Sequence, residues 1–379
     1  MTPSRLAFFW AQMNPEQSAI IQSDMALTYG DLKQAVDAIG ERIERYDLAK
    51  SDPVAVAIPH PARQLMVCLG LMRCGISVAP ISQGALFYVR QAGINTVIHA
   101  GQGLMTAGGR NIQYEDSWLR RDDKLSGAAT RVGPRIASNS DLMFVTLGAA
   151  GAVKKLIVSQ RAIADRVKGL PVTGETNFER TLIVPDLSSP SGFLPALMQL
   201  CAGRTACFAP DHDAQLLLIE TFEIEAISAP SQEIQGLLET VEKRRAYQCD
   251  SLKEIRVGPS SPELVRRVQS RLCRNVTLDY GGPEAGLIAS GNYDVIAGVP
   301  NAVGFVMPGV NVEIIDEAGV RLPIGTTGVV RARSAYSANV SAASNADKGS
   351  GLDQAWWYPG DRGHLTENGI LCIEARAGR

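Results

Sequence analysis

"SLKEIRVGPSSPELVRRVQSRLCRNVTLDYGGPEAG", residues 251–286, decides the fold class. Its opening reads as a strand, which the Gly-Pro-Ser-Ser run at Gly258 breaks with a turn. "PELVRRVQSRLCR" has helical rhythm, "NVTLDY" reads as a second strand, and "GGPEAG" as a glycine-rich loop. Strand, helix and strand in that order is the unit from which helix-covered α/β sheets are built.

The alternation continues upstream. Thr28 and Asp31 have the spacing of a helix cap, ahead of Leu32, Val36, Ile39 and Ile43 at helical intervals. Residues 52–59 predict a short buried strand. Within 62–82 the pattern predicts an apolar helix ending at Gly75 and then another strand, with a further strand at 94–100. The polar, glycine-rich stretch 101–140 predicts a surface excursion. Strands are expected again at 180–186, 204–210 and 223–231, with a helix around 193–202. Past about residue 295 short strands alternate with Gly, Pro and Asp turns, as in a small β-barrel or meander.

With 379 residues, 45% apolar and 20% charged, the chain has ample material for a large core. A net charge of −2 gives no electrostatic case for nucleic acid or an anionic membrane as partner. The basic runs at 242–247 and 265–274 read as solvated helix faces. Seven cysteines, an odd number without a Cys-x-x-Cys pair, predict reduced and mostly buried thiols rather than a disulfide framework. Four histidines without ligand spacing argue against structural zinc. No apolar run reaches the ~20 residues of a membrane span, and the apolar stretch in "MTPSRLAFFWAQM" is too short for a signal peptide, so a cytoplasmic location is expected.

"FVTLGAAGAVKKLIVSQRAI", residues 144–163, joins an apolar run to small glycine and alanine turns, two lysines, a second apolar run and a helix start at Ser159. Loops of this composition hold phosphates through backbone N–H groups. It lacks the Gly-Lys-Ser/Thr ending of a Walker loop, and no early Gly-x-Gly-x-x-Gly supports a dinucleotide oxidoreductase.

Four stretches, in order, resemble the adenylate-forming superfamily of acyl- and aryl-CoA synthetases, luciferases and peptide-synthetase adenylation domains. Thr146 to Lys155 resembles the family's "TSGTTGxPKG", and "YGGPEAG" from Tyr280 resembles "YGxTEAG". "IGTTGVVRARS" resembles "GEIxVRG", and "WWYPGDRGHLTENGILCIEARAGR" resembles the family's "WYRTGDLG" segment, with Asp361 and Arg376 in register. The resemblance implies an α/β fold of two packed subdomains within 1–294 and a small β-barrel subdomain over 295–379. Arg379 falls where the family's hinge lies, so its C-terminal lid domain, with the usual adenylation lysine, is expected to be absent.

The implied reaction joins a carboxylate to ATP, releases pyrophosphate and passes the acyl group to CoA or a carrier protein. Tyr280 would stack on adenine, Gly258 would lie along it, Gly281 would belong to the nucleotide-binding set, Asp361 would accept from the ribose hydroxyls, and Arg376 would donate to the ribose. Gly148 and Gly151 would offer N–H groups to the phosphates beside Thr146 and Lys154, and Glu284 would hold Mg. The departures are Leu147, Ala149 and Ala150 in place of loop hydroxyls, and Pro283 in place of the threonine before Glu284. Each lost hydrogen bond to a charged group forfeits roughly 1.5–3 kcal/mol. Two readings stay open: an AMP-forming acid–thiol ligase, with an apolar aliphatic or aromatic acid as substrate, or a degenerate module that binds an adenylate, acyl group or carrier protein.

Overall fold

The computed structural model describes residues 3–101, 109–120, 140–147, 153–244, 247–334, 351–353 and 356–376. It has an α/β fold with large sheets flanked by helices and divides into two units. The first comprises Met1–Val167 and Asp186–Phe208, the second Lys168–Pro185 and Ala209–Arg379.

In the first unit a six-stranded sheet runs in the order Arg110–Gln113, Thr96–His99, Val54–Ala57, Val78–Pro80, Leu142–Leu147, Val153–Val158. All its pairings are parallel except the last, an antiparallel hairpin. The strand Val54–Ala57 is buried at every position, as a parallel strand covered on both faces must be. Helix Tyr29–Glu44 begins with the expected cap: the Thr28 hydroxyl accepts from the Asp31 N–H, and the Asp31 carboxylate accepts from the Thr28 N–H. Helix Pro61–Arg73 packs on it closely at Gly70, where a Cβ would lie 2.6 Å from Ile39 Cγ2.

The stretch 101–140 is not all surface excursion. Its described part holds the strand Arg110–Gln113, the buried Tyr114 just after it, and a short 3₁₀ turn, Asp116–Leu119, that buries Trp118. Two aromatic anchors outweigh the polar composition around them.

The second unit pairs Arg180–Ile183, Ala226–Ala229, Glu254–Val257 and Val276–Gly282 in parallel. Helices Ser231–Arg244 and Pro262–Arg271 connect the last three of these strands, the latter helix capped by Ser261 with Pro262 in its first turn. From Val276–Gly282 onward the pairing becomes antiparallel, through Gly286–Asn292, Ala302–Val306, Ile370–Arg376 and Asp361–Leu365 to Gly328–Ser334. The change of texture expected near residue 295 is this change of pairing, and it begins earlier: "GGPEAG" is a tight hairpin end, not a loop. No disulfide joins any of the seven cysteines, of which six are buried and Cys74 is half-buried.

Candidate active site

In the first unit, Thr146 and Lys154 are direct partners across the hairpin Leu142–Leu147 and Val153–Val158. Met143, Val145, Val153 and Ile157 turn to the core on the opposite face, so the alternation of the strand holds Thr146 and Lys154 on one side at the mouth of the loop. Thr146 is exposed. Gly148 and Gly151, with Ala149 and Ala150, lie outside the described residues.

In the second unit, Ala229 stands beside Val257 and Val257 beside Leu278 in register, so Ser231, Gly258 and Tyr280 follow at the carboxyl ends of adjacent parallel strands. This is the edge at which open α/β sheets take ligands. The Gly258 turn is pinned from both sides. The Ser260 hydroxyl donates to the Gly258 carbonyl at 2.8 Å, and Ser231 Oγ donates to the Pro259 carbonyl at 3.0 Å. A Cβ built on Gly258 would meet nothing within 4 Å, so the turn presents open backbone.

Tyr280 is 5% exposed, its ring enclosed with Ile288, Val303, Val330 and Leu371 and lying 6.2 Å from the Trp357 ring. The wall expected for adenine is thus a mostly enclosed ring with a polar tip. That tip donates to Asp361 Oδ2 at 2.7 Å, across 81 residues of chain. Asp361 follows Gly360, whose φ of +78° supplies the turn into the strand Asp361–Leu365. Asp361 also pairs in backbone register with Arg376, whose side chain is outside the description.

Gly281 and Gly282 have packing reasons to be glycine. A Cβ at Gly281 would sit 2.1 Å from the Gly286 carbonyl oxygen. At Gly282 it would meet Trp357 Cζ2 at 2.6 Å and Glu284 Oε2 at 3.0 Å. Glu284 is half-buried at the hairpin tip. Among the described residues no cluster of three or more His, Cys, Asp or Glu could hold a metal. A lone carboxylate fits Mg only where substrate phosphates complete its oxygen shell, which is how this ion is commonly held.

Two residues escaped the sequence reading. Trp357 supports both Tyr280 and Gly282, and the aromatic pair before "YPGD" was its visible signal. Arg256, a charge inside the buried strand "EIRV", donates from Nε and Nη2 to both oxygens of Asp279 at 2.9 Å. On the hairpin's second strand, Ile288 belongs to the core and its neighbour Leu287 is half-buried.

A family model described as AMP-binding enzyme matches residues 8–340. The chain belongs to this family. Tyrocidine synthase 2 of Brevibacillus parabrevis is 22% identical over 349 residues, 87% of this chain and 9% of that protein. Amide bond synthetase McbA from Marinactinospora thermotolerans superposes with a TM-score of 0.83 at 20% identity, covering 99% of this chain and 79% of that one. VinN superposes with a TM-score of 0.84 at 17% identity, covering 99% of each. At these identities the superpositions establish the shared fold. The chain spans less than a third of the length of the curated relatives it matches. Among the described residues no helix is long and apolar enough to cross a membrane.

Proposed function

We propose that the chain carries the nucleotide site of a carboxylate-activating ligase. A carboxylate oxygen attacks the α-phosphorus of ATP, the bond to pyrophosphate breaks, and the acyl adenylate passes its acyl group to CoA or a carrier protein. The observation that carries this reading is the Tyr280–Asp361 hydrogen bond, which holds a half-buried carboxylate in one orientation as an acceptor for ribose hydroxyls. The open backbone at Gly258 supports it as a bed for a flat base.

Two anions have to meet, so charge screening dominates the barrier. Thr146 would donate a hydrogen bond to the phosphates and Lys154 would add positive charge across the same hairpin. Glu284 would hold Mg, which when bound neutralises phosphate charge. Arg376 would add a donor to the ribose, and the N–H groups of Gly148 and Gly151 would complete the phosphate grip. An apolar acid is the proposed substrate, supported by the half-buried Leu287 on the second strand of the hairpin. Leu147, Ala149, Ala150 and Pro283 favour the second reading, a module that binds the adenylate without forming it.

Calorimetric titration with a short panel of acyl- and aryl-sulfamoyl adenosines tests the site. Binding that disappears in Asp361→Ala is expected, and a folded protein that binds none of them overturns the proposal. Carboxylate-dependent exchange of pyrophosphate into ATP separates the two readings, since only the ligase supports it.

A further inference from the structure

We infer that Arg256 is a positioning residue for the nucleoside: its guanidinium locks the Gly258 turn and Tyr280 into one arrangement. The inference rests on the adenylate reading above.

Central strands of a parallel sheet read as continuous apolar runs, yet "EIRV" puts Glu254 and Arg256 on one face of such a strand, each 8% exposed. The charges are met. Arg256 Nε and Nη2 donate to Asp279 Oδ2 and Oδ1, both at 2.9 Å. Nη2 also reaches the Thr173 carbonyl at 3.2 Å, at the end of helix Gln160–Thr173. Ser290 Oγ, on the far strand of the hairpin, donates to Asp279 Oδ1 at 2.6 Å. Glu254 stands 3.6 Å from Nη1 and accepts from the Thr277 hydroxyl at 2.6 Å.

Buried ion pairs contribute little net stability compared with well-packed apolar residues, so stability alone gives no reason for this arrangement. Its location does. Arg256 lies two residues before Gly258, and Asp279 immediately precedes Tyr280. A planar two-pronged fork between them fixes the spacing and tilt of the two strand ends. A lysine, with one flexible ammonium, keeps the charge and loses the fork. The clamp thus acts upstream of the nucleoside contacts without touching a ligand.

The test compares wild type, Arg256→Lys and the apolar pair Arg256→Met/Asp279→Leu, using calorimetric binding of AMP and of one acyl-sulfamoyl adenosine. Thermal unfolding checks that each is folded, and Arg256→Lys decides the matter where the double variant does not fold. The expected result is folded Arg256→Lys with affinity reduced on the order of tenfold or more. The factor should be the same for AMP as for the acyl-bearing analogue, because the clamp serves the nucleoside half that both share. A folded Arg256→Lys that binds both with wild-type affinity overturns the inference and leaves the adenylate reading intact. Wild type that binds neither compound overturns the adenylate reading, and the inference falls with it.

Discussion

Asp361→Ala and Tyr280→Phe remove the same hydrogen bond from opposite ends, so their effects on stability must not add. The bond is 2.7 Å long, to a carboxylate, from a tyrosine that is 5% exposed. A hydrogen bond to a charged group is worth about 1.5–3 kcal/mol. Asp361 is only half-buried, so water rehydrates it in part and the lower end of that range applies, near 1.5 kcal/mol. The assay is a double-mutant cycle in urea, with unfolding followed by tryptophan fluorescence. The double variant is expected to lose less stability than the two single losses combined, by about that coupling energy. Coupling within about 0.5 kcal/mol of zero is what independent sites give, and would refute the view that the tyrosine fixes the carboxylate. A binding arm accompanies it. Nucleoside affinity should vanish in both variants carrying Asp361→Ala, while Tyr280→Phe, which keeps the acceptor, should still bind.

Gly258→Ala should leave the melting temperature within a degree or two, since its Cβ meets nothing within 4 Å, yet weaken binding of the sulfamoyl adenosines severalfold by calorimetry. Gly281→Ala should do the reverse of sparing the fold: a Cβ 2.1 Å from the Gly286 carbonyl has to open the hairpin, which amide hydrogen exchange at Tyr280 and Ala289 will report as lost protection. For pH, burial raises Glu225, but the Lys253 ammonium and the Glu179 N–H outweigh it and hold the carboxyl below its ordinary value. Its stabilisation is therefore present above the usual glutamate range and lost as pH falls through the depressed value. Glu225→Gln should make the acid limb of a stability-against-pH curve shallower, and an unchanged limb would count against the pairing.

Local signals were readable and distant ones were not. Thr28 and Asp31 announce a helix because both partners of the cap lie within four residues. The buried strand Val54–Ala57 and the helix Pro61–Arg73 follow from uninterrupted apolar runs. "RNIQ", by contrast, carries no strand pattern, and only its pairing with Thr96–His99 makes it one. The glycines at 281 and 282 read as a loop because glycine usually marks one; here they are forced by a carbonyl and a tryptophan in close approach. At the site, Tyr280 and Asp361 stood out through their motifs. Their mutual hydrogen bond did not, nor did the fork from Arg256 to Asp279, since nothing within a dozen residues hints at either partner.

The strand Val276–Gly282 pairs in parallel on one edge and antiparallel on the other, and this asymmetry has a kinetic consequence. Its antiparallel partner begins four residues after it ends and closes a small loop, whereas the Asp361 contact closes a loop of 81 residues. Short loops close first, because closure entropy grows with length. During refolding the tyrosine is therefore seated early by its own hairpin, and its carboxylate partner arrives late. On the proposed nucleotide-site reading, competence to hold a nucleoside would then emerge near the end of folding, well after most secondary structure has formed, so regained ligand binding would report completion of the native state more strictly than regained helicity does.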